Sequence, residues 1–244
     1  MAFVLDDRSL PNAVDEMHGT SRSGSPHRKR LAQEMGTTWT SAATPKVGRT
    51  PGSRERYRFV WDTSRLAMVG EPHVDPDPDD AIDREPGWAT FRTTDGGLDF
   101  TVMVVHITWG STVGSRQAEI RALRGVWDRT QTATVGDDDL VLCGDFNRNV
   151  GDAAFDRLLD VTGMVDAAHP PGATTSPIPT VINAASTYDQ MFLSTAATRE
   201  WTGTFTVYPF DELLFAKDDV KAQKSVSDHR PVAITLTVPQ HDDD

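Results

Sequence analysis

One stretch constrains this chain more than any other: Asp137 to Asn147, DDDLVLCGDFN. Leu140-Val141-Leu142-Cys143 is an apolar run with three acids before it and Gly144 after it, the pattern of a short buried strand that ends in a sharp turn. Asp145 and Asn147 are then delivered together at the C-terminal end of that strand. In α/β architectures this end faces a crevice, and a rigid strand fixes whatever it carries there. A carboxylate and a carboxamide two residues apart can hold a cation or a water and donate a hydrogen bond to an anionic oxygen. Gly-Asp-Phe-Asn is also an ordinary turn in which Asp and Asn cap their own backbone, so the rest of the chain has to decide between the two readings.

The composition admits a large core. With 244 residues, 38% hydrophobic and 25% charged, one α/β domain over residues 1–239 is expected, followed by a disordered acidic tail at 240–244. The net charge of -12 weighs against tight, unspecific binding along a nucleic-acid backbone, which relies on Lys and Arg to neutralise phosphates. A local basic patch or a bound metal can offset that field. The single cysteine, Cys143, excludes an intrachain disulfide and reads as a small buried hydrophobe. No apolar run reaches the ~18 residues of a membrane span, and Asp6-Asp7 follows Met1 to Leu5 too soon for a signal peptide. A cytoplasmic monomer is the expectation for the sequence as it stands.

Taken in order, residues 20–30 collect Ser, Gly and Pro with the basic cluster Arg22, His27, Arg28, Lys29 and Arg30, which reads as a loop before a short helix over Arg28 to Met35. Tyr57 to Asp62 alternates aromatic with polar residues as a strand does, and Leu66 to Gly70 reads as its partner. Glu71 to Pro86, EPHVDPDPDDAIDREP, is rich in Pro and Asp and reads as an exposed acidic loop. Its aspartates, Asp75 to Asp83, make a calcium site conceivable, without the glycine turn and terminal Glu of an EF-hand. Trp88 to Thr94 and Leu98 to Ile107 flank Asp95-Gly96-Gly97, a hairpin signal. Ser115 to Arg129 puts Ile120, Leu123, Val126 and Trp127 on one helical face. A helix over Asp152 to Leu159, a strand over Thr187 to Leu193 and a last strand over Val232 to Val238 complete the reading. Loose alternation of strands and helices, with a hairpin among them, predicts α/β (α+β) architecture as a four-layer sandwich: two stacked mixed sheets flanked by helices.

Four stretches in this order, Arg54-Glu55-Arg56-Tyr57, the strand ending at His106, Gly144-Asp145-Phe146-Asn147 and Ser227-Asp228-His229, with Tyr188-Asp189 before the last, resemble the endonuclease/exonuclease/phosphatase superfamily of DNase I-like proteins. The resemblance runs from about Gly48 to Val238. It implies that Asp145 and Asn147 contact the scissile phosphate and the attacking water. It implies likewise that Asp228 lies near the metal, that His229 contacts the phosphate and is oriented by Asp189, and that His106 is paired with Glu55. The implied reaction is Mg²⁺-dependent hydrolysis of a phosphate ester, with Mn²⁺ or Ca²⁺ as other candidate ions and nucleic acid as the favoured substrate. A lipid or small-molecule phosphodiesterase or phosphatase is the alternative. Either His229 and His106 exchange protons with the reactants, or Asp145 deprotonates the water while His229 stabilises the phosphorane; the residues leave both open.

The N-terminus departs from the pattern. The family opens with a core strand ending in an Asn, followed by a motif whose Glu binds the metal. No strand with a suitable Asn is expected here, and Asn12 is too near Glu16 to replace it. Glu16, in Val14-Asp15-Glu16-Met17, is the metal-ligand candidate by its separation from Glu55. Two expectations follow: a chain that starts at an internal Met, lacking its first strand and a secretion signal, or a degenerate relative that retains the fold without the activity.

Overall fold

The computed structural model describes the backbone of residues 3–6 and, with their side chains, residues 36–110, 112–134 and 136–242. Glu16, Asn12, the basic cluster at 22–30 and the helix expected over Arg28 to Met35 lie outside them. Six strands form the main sheet: β4 (Leu66–Val74), β5 (Gly87–Thr93), β6 (Asp99–His106), β7 (Leu140–Asp145), β9 (Asp189–Ser194) and β8 (Met164–Asp166), in that spatial order. The pair β6 and β7 is parallel and the other pairs are antiparallel, so the sheet is mixed.

Alternation along these strands sorts their side chains between two cores. Met103, Val105, Leu140, Leu142 and Phe192 point to one face, where helix α1 (Val113–Ala133) lays Ile120, Leu123, Val126 and Trp127 against them. Thr112 starts that helix, its hydroxyl accepting the Ser115 N–H at 3.2 Å. Val102, Val104 and Cys143 point to the other face, and there a second layer covers them. It consists of a three-stranded sheet, β1 (Phe3–Asp6), β3 (Tyr57–Asp62) and β2 (Trp39–Ala43) in the order β1-β3-β2, which contributes Tyr57, Phe59 and Trp61. Beside it, a ribbon of β10 (Trp201–Val207) and β11 (Val232–Leu236) packs Trp201, Phe205 and Ile234 on Val141 and Leu193. Helices α2 (Asp156–Leu159), α3 (Phe210–Phe215) and α4 (Asp219–Ser225) lie in the connections. The expected α/β sandwich of stacked sheets with flanking helices is the architecture found.

Four local expectations change. Leu66 to Gly70 does not pair with β3: the turn at Asp62–Arg65 carries the chain into the other layer, where β4 pairs with β5, and Leu66 meets Tyr57, Phe59 and Trp61 by packing. Glu71 to Pro86 is not an exposed loop. β4 continues to Val74, and Asp75 (3% exposed), Asp77, Ile82 (1%) and Arg84 are buried. Asp75 takes both arms of Arg129 from α1, at 2.7 and 3.0 Å, and the Asp77 carboxylate accepts the Ile82 N–H at 2.8 Å. These carboxylates are spent on protein donors, and among the described residues no cluster of three acidic, His or Cys side chains could hold a metal. Ile82→Ala should cost about 3 kcal/mol in a urea titration, since it opens a cavity beneath α1; a loss of a few tenths would restore the loop reading.

At the N-terminus a strand does form. Phe3–Asp6 pairs antiparallel with β3, Phe3 opposite Val60 and Asp6 opposite Tyr57, as an edge of the smaller sheet. Its apolar run of three residues was too short to show alternation, and it ends in Asp6 where the resemblance asks for Asn. At the other terminus the Asp242 carboxylate accepts the Asp99 N–H at 2.7 Å, so residues up to 242 are docked on the hairpin.

Candidate active site

Three of the residues singled out in the sequence form one row across the main sheet. His106 is the register partner of Asp145 in the parallel ladder, and Asp145 is that of Asp189 in the antiparallel one. Partners in register share a face, and by alternation this row shares the face of Val104, Cys143 and Met191, the one that meets the second layer. The second layer answers with two residues. Glu55 stands just before β3, fixed by its backbone exchange with Val47, and His229 stands just before β11, bridged to Val181. The site is thus a crevice between two layers at the C-terminal end of β7.

The side chains close into a chain of contacts. Glu55 lies 3.2 Å from His106 Nδ1, and His106 Nε2 lies 3.6 Å from Asp145 Oδ2. The same Asp145 oxygen is 4.0 Å from His229 Nε2, and His229 Nδ1 is 2.8 Å from Asp189 Oδ2. Each imidazole therefore turns one nitrogen to an orienting carboxylate and the other toward Asp145. Asp145 Oδ1 accepts the Asn147 N–H at 2.8 Å, and Asn147 adopts a left-handed backbone (φ 51°). Its buried amide donates to the Ile107 carbonyl at 2.7 Å and keeps a second N–H. Gly144 lets β7 come close to β6: a Cβ there would lie 1.9 Å from the Val105 carbonyl oxygen.

Electrostatics separate the two central groups. Burial, reinforced by the charge of Asp189 and opposed by the two histidines, pushes the Asp145 carboxyl up to about 6. Burial works against a charge on His229, but its hydrogen bond to Asp189 and the charges of Asp189, Asp145 and Asp228 outweigh it and raise the imidazole to about 9. Cys143, on the same strand, is pushed to about 12 by burial and is a core residue with no reactive thiolate.

Asp228 is exposed at the edge of the crevice, on the loop whose Arg230 N–H donates to the Thr180 carbonyl at 2.7 Å. Sequence reasoning missed the supports. Arg84 reaches Glu55 at 3.4 Å and the Ile107 carbonyl at 3.3 Å, joining the carboxylate behind His106 to the carbonyl that holds Asn147. No signal in the sequence points to Arg84, whose partners arrive from residues 55 and 107. Thr180 receives the Asp189 N–H on its hydroxyl, and Arg230 grips buried Asp211 with two bonds of 2.9 and 2.7 Å, holding the His229 loop from behind.

No family model matches the chain. A deoxyribonuclease of Thioalkalivibrio sp. (strain K90mix) is 30% identical over 213 residues, which are 85% of this chain and 57% of that protein; the chain thus spans little more than half the length of this curated relative. Among solved structures, the human Nocturnin catalytic domain with bound sulfate anion superposes at a TM-score of 0.57 with 15% identity, over 96% of this chain and 80% of that one. An endonuclease/exonuclease/phosphatase family protein from Bacteroides thetaiotaomicron gives 0.54 with 18% identity, over 85% and 78%. The layered sheets of this chain thus have the fold of these solved structures, one of them an endonuclease/exonuclease/phosphatase family protein.

Proposed function

We propose that this chain is a metal-dependent phosphodiesterase of the DNase I-like kind, hydrolysing nucleic acid. The observation that carries this reading is the chain of contacts Glu55, His106, Asp145, His229, Asp189: two oriented imidazoles flank a carboxylate whose basicity is raised. The deoxyribonuclease relative supports nucleic acid as the substrate. Between the two proton assignments left open by the sequence, the electrostatics favour one. His229, protonated up to about pH 9, stands as a cation to bind a phosphate oxygen and stabilise the negative phosphorane. Asp145, raised to about 6, is ionised at neutral pH and more basic than an ordinary carboxylate, which suits it to take a proton from water. Asn147 donates its second amide hydrogen to the phosphoryl group. His106, oriented by Glu55 and 3.6 Å from Asp145, keeps that carboxylate ionised and accompanies the proton it collects.

The donor set suits a hard cation. The other carboxylates of the crevice are hydrogen-bonded or paired with histidines, whereas Asp228 is exposed at its edge. Mg²⁺ commonly takes one or two carboxylates and completes its shell with water and substrate phosphate. Asp228 is the proposed ligand, with Glu16 as the second. Such an ion, when bound, neutralises charge on the phosphate and the leaving group.

The test is cleavage of plasmid DNA and of bis(p-nitrophenyl) phosphate with and without Mg²⁺, by the parent chain and by His229→Ala. Metal-dependent cleavage that falls at least a hundredfold in the variant is expected; a folded parent chain inert toward both substrates would sink the reading and favour the degenerate relative. Faster cleavage of DNA than of bis(p-nitrophenyl) phosphate marks a nucleic-acid substrate, and the reverse ratio the small-ester alternative.

The pH profile follows with its sign. Asp145 must lose its proton and His229 must keep its own, so kcat/KM should rise through about pH 6 and fall through about pH 9. Asp189→Asn removes the charge that raises both groups, and should move both limbs to lower pH. An alkaline limb that stays in place removes His229 from this role.

A further inference from the structure

An aromatic ledge at the mouth of the crevice takes no part in the chemistry above. Trp109, three residues past His106, is 60% exposed. Tyr188 immediately precedes Asp189, and the two ring centroids are 6.1 Å apart at 52°. Because β6 and β9 lie on either side of β7, these rings meet across the C-terminal end of β7, where Asp145 and Asn147 emerge. The Phe146 N–H donates to the Tyr188 carbonyl at 2.8 Å and ties the ledge to that turn.

Trp109 is also held in place. The Arg116 guanidinium sits 4.7 Å from its ring centroid and donates to its backbone carbonyl at 2.7 Å, so one side chain fixes both ring and main chain. Gly110 (φ 49°) makes the following turn, and a Cβ there would come 2.7 Å from Ser115 Oγ. A fixed indole left in water has not lost its binding capacity, and its ordering cost is already met in the free protein.

We propose that Trp109 and Tyr188 form a stacking platform for an unpaired nucleobase beside the scissile phosphate, which directs the chain to single strands and frayed ends over intact duplex. The proposal rests on the phosphodiesterase reading for what happens to the bound strand. Its ligand chemistry follows from two observations. A flat π-faced group next to a phosphate ester is a nucleobase, and stacking on aromatic side chains binds every base without reading its edge. A chain with net charge -12 gains little from counterion release along a backbone, so stacking is the contribution open to it. Bases inside a duplex are already stacked on each other and unavailable to the ledge.

The experiment is fluorescence anisotropy in EDTA, with the full chain and a labelled single-stranded oligonucleotide. A second oligonucleotide carries base-free tetrahydrofuran residues, and a third is the duplex. Trp109→Ala should weaken binding of the single strand about tenfold or more, and Trp109→Phe should restore most of it. The base-free strand should bind parent and variant alike, and no more tightly than the duplex. Equal affinity of parent and Trp109→Ala for the single strand overturns the proposal. So does an equal loss on both strands, which marks a structural role, and so does tighter binding of the duplex. Trp-dependent binding in a chain that cleaves nothing when Mg²⁺ is added upholds the platform and sinks the hydrolase reading, so the two fail separately.

Discussion

Asp145→Asn is expected to abolish turnover and, in the same molecule, to raise thermal stability at neutral pH. Loss of a proton-accepting carboxylate typically costs between a hundredfold and ten-thousandfold in rate, and here the upper end is expected, because Asp145 is the group that both imidazoles face. Stability runs the other way. The folded protein raises this carboxyl from 3.8 to about 6, so folding favours its protonated form. That contribution is complete below the unfolded value and is lost as pH rises through 6. At pH 7 the ionised group is a net cost of about 3 kcal/mol, at 1.36 kcal/mol per pH unit. A neutral amide of the same shape removes most of it, which for a chain of this size means a Tm higher by several degrees. The gain should vanish when both proteins are melted near pH 4. A variant that melts below its parent at pH 7 would contradict the assignment of Asp145 as a charge the fold tolerates only for function.

Gly144→Ala should damage the fold more than any other single methyl group. The added Cβ lies 1.9 Å from the Val105 oxygen, 2.9 Å from its carbonyl carbon and 3.1 Å from its nitrogen, at a φ of 145° that L residues rarely adopt. All three atoms are backbone, so no side chain can rotate away and β6 must separate from β7. The two strands that carry His106 and Asp145 would part, for a loss of about 4 kcal/mol or more. Gly96→Ala is the control. It too has positive φ, at 76°, but nothing lies within 4 Å of its new methyl group, so only the backbone strain of about 1 kcal/mol applies. Urea unfolding of the two variants separates the clash from the strain; similar losses would mean that the β6–β7 ladder adapts.

How much of this was legible depends on what each segment's signal was. α1 was readable because it buries one face and so carries a helical period, the β5–β6 hairpin because of its turn, and β7 because it is an unbroken apolar run bounded by acids and Gly144. The site residues came from ordered motifs, and the structure brings Glu55, His106, Asp145, Asn147, Asp189 and His229 together, with Asp228 at the edge. β10 was illegible: most of its residues are exposed or half-buried, so no alternation survives. The error over Glu71 to Pro86 has a different cause. Asp75 and Asp77 are buried because Arg129 and the Ile82 N–H satisfy them, and composition cannot show a partner that arrives from residue 129. Arg84 was hidden in the same way. Glu16, the remaining metal candidate, lies outside the described residues.

The row of His106, Asp145 and Asp189 has a consequence for how such a protein can change. Its lateral spacing is set by backbone ladders, about 4.8 Å from strand to strand, and owes nothing to the side chains themselves. Replacing one of the three alters which proton moves or which charge is met, while the other two keep their places. Inserting one residue upstream in β7 would turn Asp145 to the opposite face and disperse the set. Such a scaffold can exchange its chemistry one side chain at a time, yet it cannot tolerate a change of strand length; variation between descendants should therefore gather in substitutions along the row and in the loops beyond it.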